Sequence, residues 1–169
     1  LGKNPQKIPG MVSYMPHHAS SRFADWRSIC AKAGLNYIDP AMDVNDAIFQ
    51  IRQSELIITE AMHGAIVADA FRTPWIPVVC YDHILDFKWK DWCFSLKMEY
   101  IPEQIERIWD IEKGLPFDTY WKSQLKRALI NVGISSSNWT PPPPKTNRGE
   151  VEDAVVKKLL NLSNNGRSF

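Results

Sequence analysis

Between Ile8 and Pro102, short runs rich in β-branched and aromatic residues alternate with stretches whose apolar residues recur every three or four positions. Strand and helix in regular succession leave little choice of architecture, because neighbouring parallel strands need a crossover and that crossover is a helix. The pattern predicts an α/β domain, a parallel sheet with helices on both faces. Ile8–Met15 is the first run, stopped by Pro16. Phe23, Trp26, Ile29, Cys30 and Ala33 then form a helical stripe, with Gly34 as its C-terminal stop. Leu35–Ile38 makes a short second strand, and Asp43 is placed to cap a helix with Val44, Ile48 and Ile51 on its apolar face. Leu56–Thr59 is apolar on both faces, as a central parallel strand must be. Ile66, Val67, Ala70 and Phe71 mark the next helix, closed by Thr73 and Pro74. Trp75–Tyr81 is a fourth strand despite Pro77. Leu85, Trp89, Trp92 and Leu96 define one more amphipathic helix, and Met98–Ile101 a weak fifth strand.

Beyond this zone the spacing predicts a helix from Asp118 to Gly133 with Trp121, Leu125, Ala128, Leu129 and Val132 buried. Pro141–Pro144 reads as a semi-rigid extended spacer, with a site for a proline-binding module as the rival use. Val151, Val155, Leu159 and Leu162 make a last amphipathic helix, which so long a spacer would hold some distance from the sheet. The expected division is an α/β domain over 1–133, a Ser/Pro-rich linker over 134–149, and a helix and tail over 150–169. With 44% hydrophobic residues in 169, the chain can bury a full core, which excludes a disordered segment or a disulfide-stapled miniature. Twenty basic against 19 acidic residues gives no footprint for nucleic acid. Three widely spaced cysteines suit neither a disulfide framework nor a zinc site, so a reducing cytoplasm is expected. No apolar run reaches the ~18 residues of a membrane span. Leu1, with no initiator Met and no signal-like segment after it, reads as a cut made inside a longer protein.

In an open parallel sheet, ligands bind at the carboxyl ends of the strands, where helix N-termini aim their N–H groups. His17 and His18 follow the first strand, Glu60-Ala61-Met62-His63-Gly64 the third, and His83 the fourth, so all four histidines of the chain fall on these exits. Imidazole can donate to an anion or act as acid or base. Ser20 and Ser21 open a helix, where they either bind an anion or simply cap it. Gly64 permits close backbone approach, to an anion or of the helix to the sheet. Lys88 and Lys90 flank Trp89, in reach of an anion or merely solvated. Trp109 and Trp139 are free to stack on a sugar. The spacings HxH, HxxxH and HExxH are missing, so no metal is expected, and no GxGxxG, GxxxxGK[ST] or GxSxG occurs.

The segment Ser54–Val78, centred on Met62-His63-Gly64, resembles the polysaccharide pyruvyl transferase family, in particular its succinoglycan-type ketal pyruvate transferase branch. Lys88-Trp-Lys-Asp-Trp92 followed by Leu96 is similar to the family's lysine-led helix. The resemblance covers roughly residues 8 to 101. It implies a Rossmann-like domain corresponding to the C-terminal half of a GT-B arrangement, with the last helix crossing back to a missing N-terminal domain. It implies transfer of the enolpyruvyl unit of phosphoenolpyruvate onto two hydroxyls of a glycan or lipid-linked oligosaccharide, without a further cofactor. The place of work would be the cytoplasm, at the inner membrane face where the precursor is lipid-linked. His63 matches the histidine that contacts the donor and is the expected catalytic residue. His17, His18, Ser20, Ser21, Arg22, Glu60, Met62, Gly64, His83 and Lys88 are the expected binding residues. Met62 replaces a leucine, and Ala61 stands where the family usually has arginine; Arg22, His17 and His18 are the candidates to supply the lost charge. Two other readings stay open: half of a GT-B nucleotide-sugar glycosyltransferase, and a non-catalytic α/β module whose terminal helix binds a partner.

Overall fold

In a computed structural model that describes residues 5–81, 83–108 and 148–166, the strands are β1 (Val12–Met15), β2 (Asn36–Tyr37), β3 (Leu56–Thr59), β4 (Trp75–Val79) and β5 (Glu103–Gln104). They form one parallel sheet in the order β2-β1-β3-β4-β5. The helices are α1 (Trp26–Lys32), α2 (Val44–Gln53), α3 (Met62–Ala70), α4 (Asp86–Ser95) and α5 (Arg148–Asn165). The strand order reverses between β1 and β3, and there a doubly wound sheet opens its ligand crevice.

Strand periodicity decides which helices cover which face. Val12, Tyr14, Leu56, Ile58 and Val78 point to one side, onto Trp26 and Ile29 of α1 and Val151, Val155, Leu159 and Leu162 of α5. Met15 and Ile57 point to the other, onto Ile51 of α2 and Ala68 of α3. Every residue of β1 and β3 is therefore buried. Beyond α3, Trp89 and Cys93 of α4 pack with Ala65 and Tyr100. Asp25 caps α1 by accepting from the Ser28 N–H at 3.2 Å, and Asp43 caps α2 through the Asn45 N–H at 2.8 Å. Gly34 stops α1 in the left-handed conformation, φ 65°. Cys30, Cys80 and Cys93 are all buried core thiols.

Several expectations need correction. The first strand starts at Val12, since Ile8 to Met11 form a turn closed by the Met11 N–H on the Ile8 carbonyl. Val44 is 69% exposed, because the cap geometry of α2 turns its first residue outward. On α3 the buried residues are Gly64, Ala65 and Ala68, whereas Ala70 and Phe71 face solvent. Small side chains rather than large ones face the sheet, so the helix lies close against it. Leu85 and Leu96 on the expected stripe of α4 are exposed, and Cys93 lies inward instead. The fifth strand is Glu103–Gln104 and not Met98–Ile101, whose Ile101 is 69% exposed. Pro77 is tolerated because pairing with β5 begins one residue later, at Val78.

The terminal helix does not stand off from the sheet. Val155 and Leu159 are fully buried beneath α1 and β3, and Lys158 pairs with Glu103 at 2.5 Å. The expected helix over 118–133 and most of the linker over 134–149 lie outside the described residues. Among those described, no helix is long and apolar enough to cross a membrane. Removing a fully buried leucine leaves a cavity that the surroundings refill only in part. Leu159→Ala is therefore expected to lower stability by about 2–4 kcal/mol in urea unfolding, and Leu160→Ala, on the wet side, by under about 0.5 kcal/mol.

Candidate functional site

A cleft of about 490 Å³ opens at the carboxyl ends of β1, β3 and β4, over the β1/β3 reversal. From the β1 exit come Met15, His17 and His18; from the β2 exit, Pro40; from the β3 exit, Glu60, Ala61, Met62 and His63. The β4 exit and α4 add His83, Ile84, Leu85, Lys88 and Trp89. All four imidazoles thus reach one cavity from three separate strands. The His17 ring centroid lies 4.2 Å from that of His18 and 5.0 Å from that of His83.

What gathers them is Glu60, fully buried just past β3. Its Oε1 accepts the Cys80 N–H at 2.8 Å and the Tyr81 N–H at 3.3 Å, both at the β4 exit. Its Oε2 accepts the His17 N–H at 3.2 Å, at the β1 exit. One side chain therefore ties three strand exits together. Burial raises the pKa of this acid, and hydrogen bonds from Ser20, Cys80, His17 and Tyr81 oppose the rise.

Two helices start at the cleft, α3 at Met62 and α4 at Asp86, and neither has a side-chain cap. By contrast α1 and α2, which start away from it, are both capped by aspartate. Uncapped N-terminal N–H groups and the positive end of the helix dipole favour an anion. Together with four imidazoles and the Lys88 ammonium, they make the cleft rich in donors. Among the described residues no group of three His, Cys, Asp or Glu side chains is arranged to hold a metal ion.

Of the expected site residues, His17, His18, Glu60, Met62, His63, His83 and Lys88 line the cleft. Ser20 stands one layer behind, fully buried, its hydroxyl 3.1 Å from His83 Nε2. Ser21 turns away and donates to the His18 carbonyl at 2.8 Å. These serines sit in a single 3-10 turn, Ser20–Arg22, and not at the start of an α-helix. Arg22 is exposed and does not line the cleft, so of the candidates to replace the family arginine only His17 and His18 reach it, joined by Lys88. Gly64 does not line it either. A Cβ there would lie 2.8 Å from Met15 Sδ and 3.0 Å from Thr59 Oγ1, which makes the glycine a packing requirement between α3 and the sheet. Pro40, Ile84 and Leu85 had a signal in the sequence, since each follows a strand exit. Trp89 had none, its helical spacing marking it as core, and it is 2% exposed while also walling the cleft.

His17 carries the electrostatic signature of the crowd. Its pKa falls from the ordinary 6.5 to about 4, first through burial and then through His18, His83, His63 and Lys88. Because the unfolded chain binds this proton more readily, His17 costs stability as pH falls from 6.5 through 4, and nothing above that window. His17 is only part-buried, and solvent screening reduces the effect to on the order of 1–2 kcal/mol. His17→Asn keeps an acceptor for the Ala19 N–H and cannot titrate. Its urea-unfolding stability is expected to fall less than that of the unmodified chain between pH 7 and pH 4.5, by that amount.

Residues 11–83, which contain β1 to β4 and all four histidines, match the family model for polysaccharide pyruvyl transferases. Over 140 residues the chain is 39% identical to the succinoglycan biosynthesis protein ExoV of Rhizobium meliloti (strain 1021). That alignment takes in 83% of this chain and 41% of the relative, so the chain spans about two fifths of the length of the curated protein it matches. No solved structure matches it significantly. On the family model and this identity, with the shared segment carrying the whole imidazole rim, the chain belongs to the polysaccharide pyruvyl transferase family.

Proposed function

We propose that the cleft binds phosphoenolpyruvate and that the chain supplies the donor side of an enzyme that ketalises a glycan with pyruvate. The observation that carries this reading is the convergence of four imidazoles and Lys88 on one cavity at two uncapped helix starts. Phosphoenolpyruvate brings a phosphate and a carboxylate attached to the same carbon, and such a ligand needs many donors in a small volume. A cavity of about 490 Å³ is ample for it and leaves room for the attacking sugar hydroxyls.

The reaction adds two sugar hydroxyl oxygens to the central carbon of the donor, delivers a proton to its methylene carbon and releases inorganic phosphate. The two hydroxyl protons balance the proton gained by carbon and the one taken up by phosphate. A proton donor near the methylene and cationic donors around the departing phosphate are the two requirements. His63, exposed on the first turn of α3 and on the cleft wall, is placed for either task. Lys88 supplies the permanent charge that Ala61 lacks, from α4 instead of the β3 exit. As an ammonium it neutralises phosphate without the bidentate geometry of a guanidinium. The acceptor, a glycan or a lipid-linked oligosaccharide, and the remaining half of a GT-B-like enzyme would then face this cleft. Its work would lie in the cytoplasm, at the membrane face where such precursors are assembled.

Calorimetric titration of the 169-residue chain with phosphoenolpyruvate is expected to give saturable binding, weakened about ten-fold by Lys88→Ala through loss of one charge-assisted hydrogen bond. Binding of a UDP-sugar with no response to phosphoenolpyruvate would transfer the chain to nucleotide-sugar chemistry. In the complete enzyme, His63→Ala is expected to cut pyruvylation of the glycan at least a hundred-fold. Near-normal product would remove His63 from the mechanism.

A further inference from the structure

We infer that Glu60, Ser20 and His83 are positioning residues that hold His17 as a neutral imidazole with its proton on Nε2, so that this N–H faces the cleft as a donor to the bound anion. The inference rests on the donor-site reading above and adds to it a second working imidazole beside His63.

Three contacts fix the proton arrangement. The Ala19 N–H donates to His17 Nδ1 at 3.3 Å, so Nδ1 is an acceptor and the neutral ring carries its proton on Nε2. His83 Nε2 lies 3.2 Å from the same Nδ1, and two lone pairs cannot face each other at that distance, so His83 Nε2 carries a proton. Ser20 Oγ lies 3.1 Å from His83 Nε2 and therefore accepts from it, which leaves the serine proton for Glu60. The chain runs in one direction: His83 donates to His17 and to Ser20, and Ser20 donates to the buried acid. Glu60 spends its oxygens on the Cys80, Tyr81 and His17 N–H groups as well, which keeps it an acceptor.

The opposite arrangement fails at a named point. If Ser20 donated to His83, the unprotonated His83 Nε2 would confront the His17 Nδ1 lone pair. The groups acting electrostatically on His17 are His18, His83, His63 and Lys88, and with burial they keep its ring neutral at pH 7. A neutral N–H donor suits a position that must release phosphate, because it orients the anion without forming an ion pair that holds the product.

Nitrogen-15 NMR of the histidine-labelled 169-residue chain tests this without any substitution, since only four imidazoles contribute. At pH 7 the ligand-free protein is expected to show His17 with a protonated Nε2 and bare Nδ1, and His83 with a protonated Nε2. A protonated His17 Nδ1, or a bare His83 Nε2, would overturn the inference. Glu60→Gln places an amide N–H2 against Ser20 and turns the serine proton toward the His83 N–H, so the two contacts made through His83 Nε2 can no longer both be kept, and the His83 and His17 ring signals are expected to shift. Adding Ser20→Ala to that variant is expected to move both signals back toward their original positions. Unshifted His83 and His17 signals in folded Glu60→Gln would exclude a relay through Ser20. On adding phosphoenolpyruvate, the His17 Nε2 signal is expected to move with that of His63. Movement of His63 alone would remove His17 from the site, and correct tautomers with no response to phosphoenolpyruvate would overturn the donor-site reading alone.

Discussion

A single buried carboxyl group holds the carboxyl end of this sheet together. Glu60 has no contact with water, and taking such a group out of solvent costs several kcal/mol unless its oxygens are matched. They are matched by backbone N–H groups from two other strand exits and by a buried hydroxyl. Those N–H groups would otherwise be orphans, since each lies just past the end of its ladder. The acid and the exits therefore satisfy one another. The geometric result is that His17, held at its own backbone nitrogen, and His83, three residues beyond Cys80, come within hydrogen-bonding distance. An apolar residue at position 60 would leave three strand ends without a common anchor.

Crowding imidazoles has an electrostatic consequence that favours the proposed ligand. Empty, the cleft resists protonation, as the low pKa of His17 shows. An anion arriving there would meet a neutral N–H donor at His17 and be oriented without an ion pair. The rim is thus rich in donors without a charge on His17, which spares the cleft part of the self-repulsion of crowded cations. The choice of capping residues agrees with this division. Aspartate caps α1 and α2, whereas α3 and α4 start without a side-chain cap, and the one carboxylate in the first turn of α4, Asp86, pairs with Lys90.

The sequence made the central layer legible because its signal is local. Leu56–Thr59, buried on both faces, can hardly be anything but an inner parallel strand, and a Pro16 stop or an Asp43 cap acts within a few residues. Hydrophobicity misled wherever volume or distance decided. Ile66 and Val67 outweigh Gly64 and Ala65 on any apolar count, yet the smaller pair is the buried one, Gly64 against the sheet and Ala65 against α4. Met98–Ile101 has strand composition, but β4 offers pairing only from Val78 onward, and the chain reaches it at Glu103. The placement of α5 was unreadable for a different reason. Periodicity shows that Val151, Val155, Leu159 and Leu162 need a partner, but says nothing of which. The partner is the open face of β1 and β3, which a two-sided sheet cannot leave bare. The histidine rim was readable because a topological rule, ligands at strand exits, stood in for coordinates; the roles of Ser20 and Glu60 behind it required side-chain distances.

Gly64 shows how a residue beside the cleft can shape it without lining it. The glycine looks, in sequence, like a place for backbone to meet phosphate. In the fold it faces Met15 and Thr59, the last residues of the two strands that flank the reversal point. Thr59 Oγ1 cannot retreat, because it donates to the Met15 or Ala61 carbonyl and accepts the Ala61 N–H. A Cβ on residue 64 would push the first turn of α3 outward, and His63 with it. The same step that packs the helix against the sheet therefore sets the distance of His63 from His17 and His83. Packing of the helix and placement of His63 share one constraint at this position, so a stability measurement alone would report only half of what the glycine does.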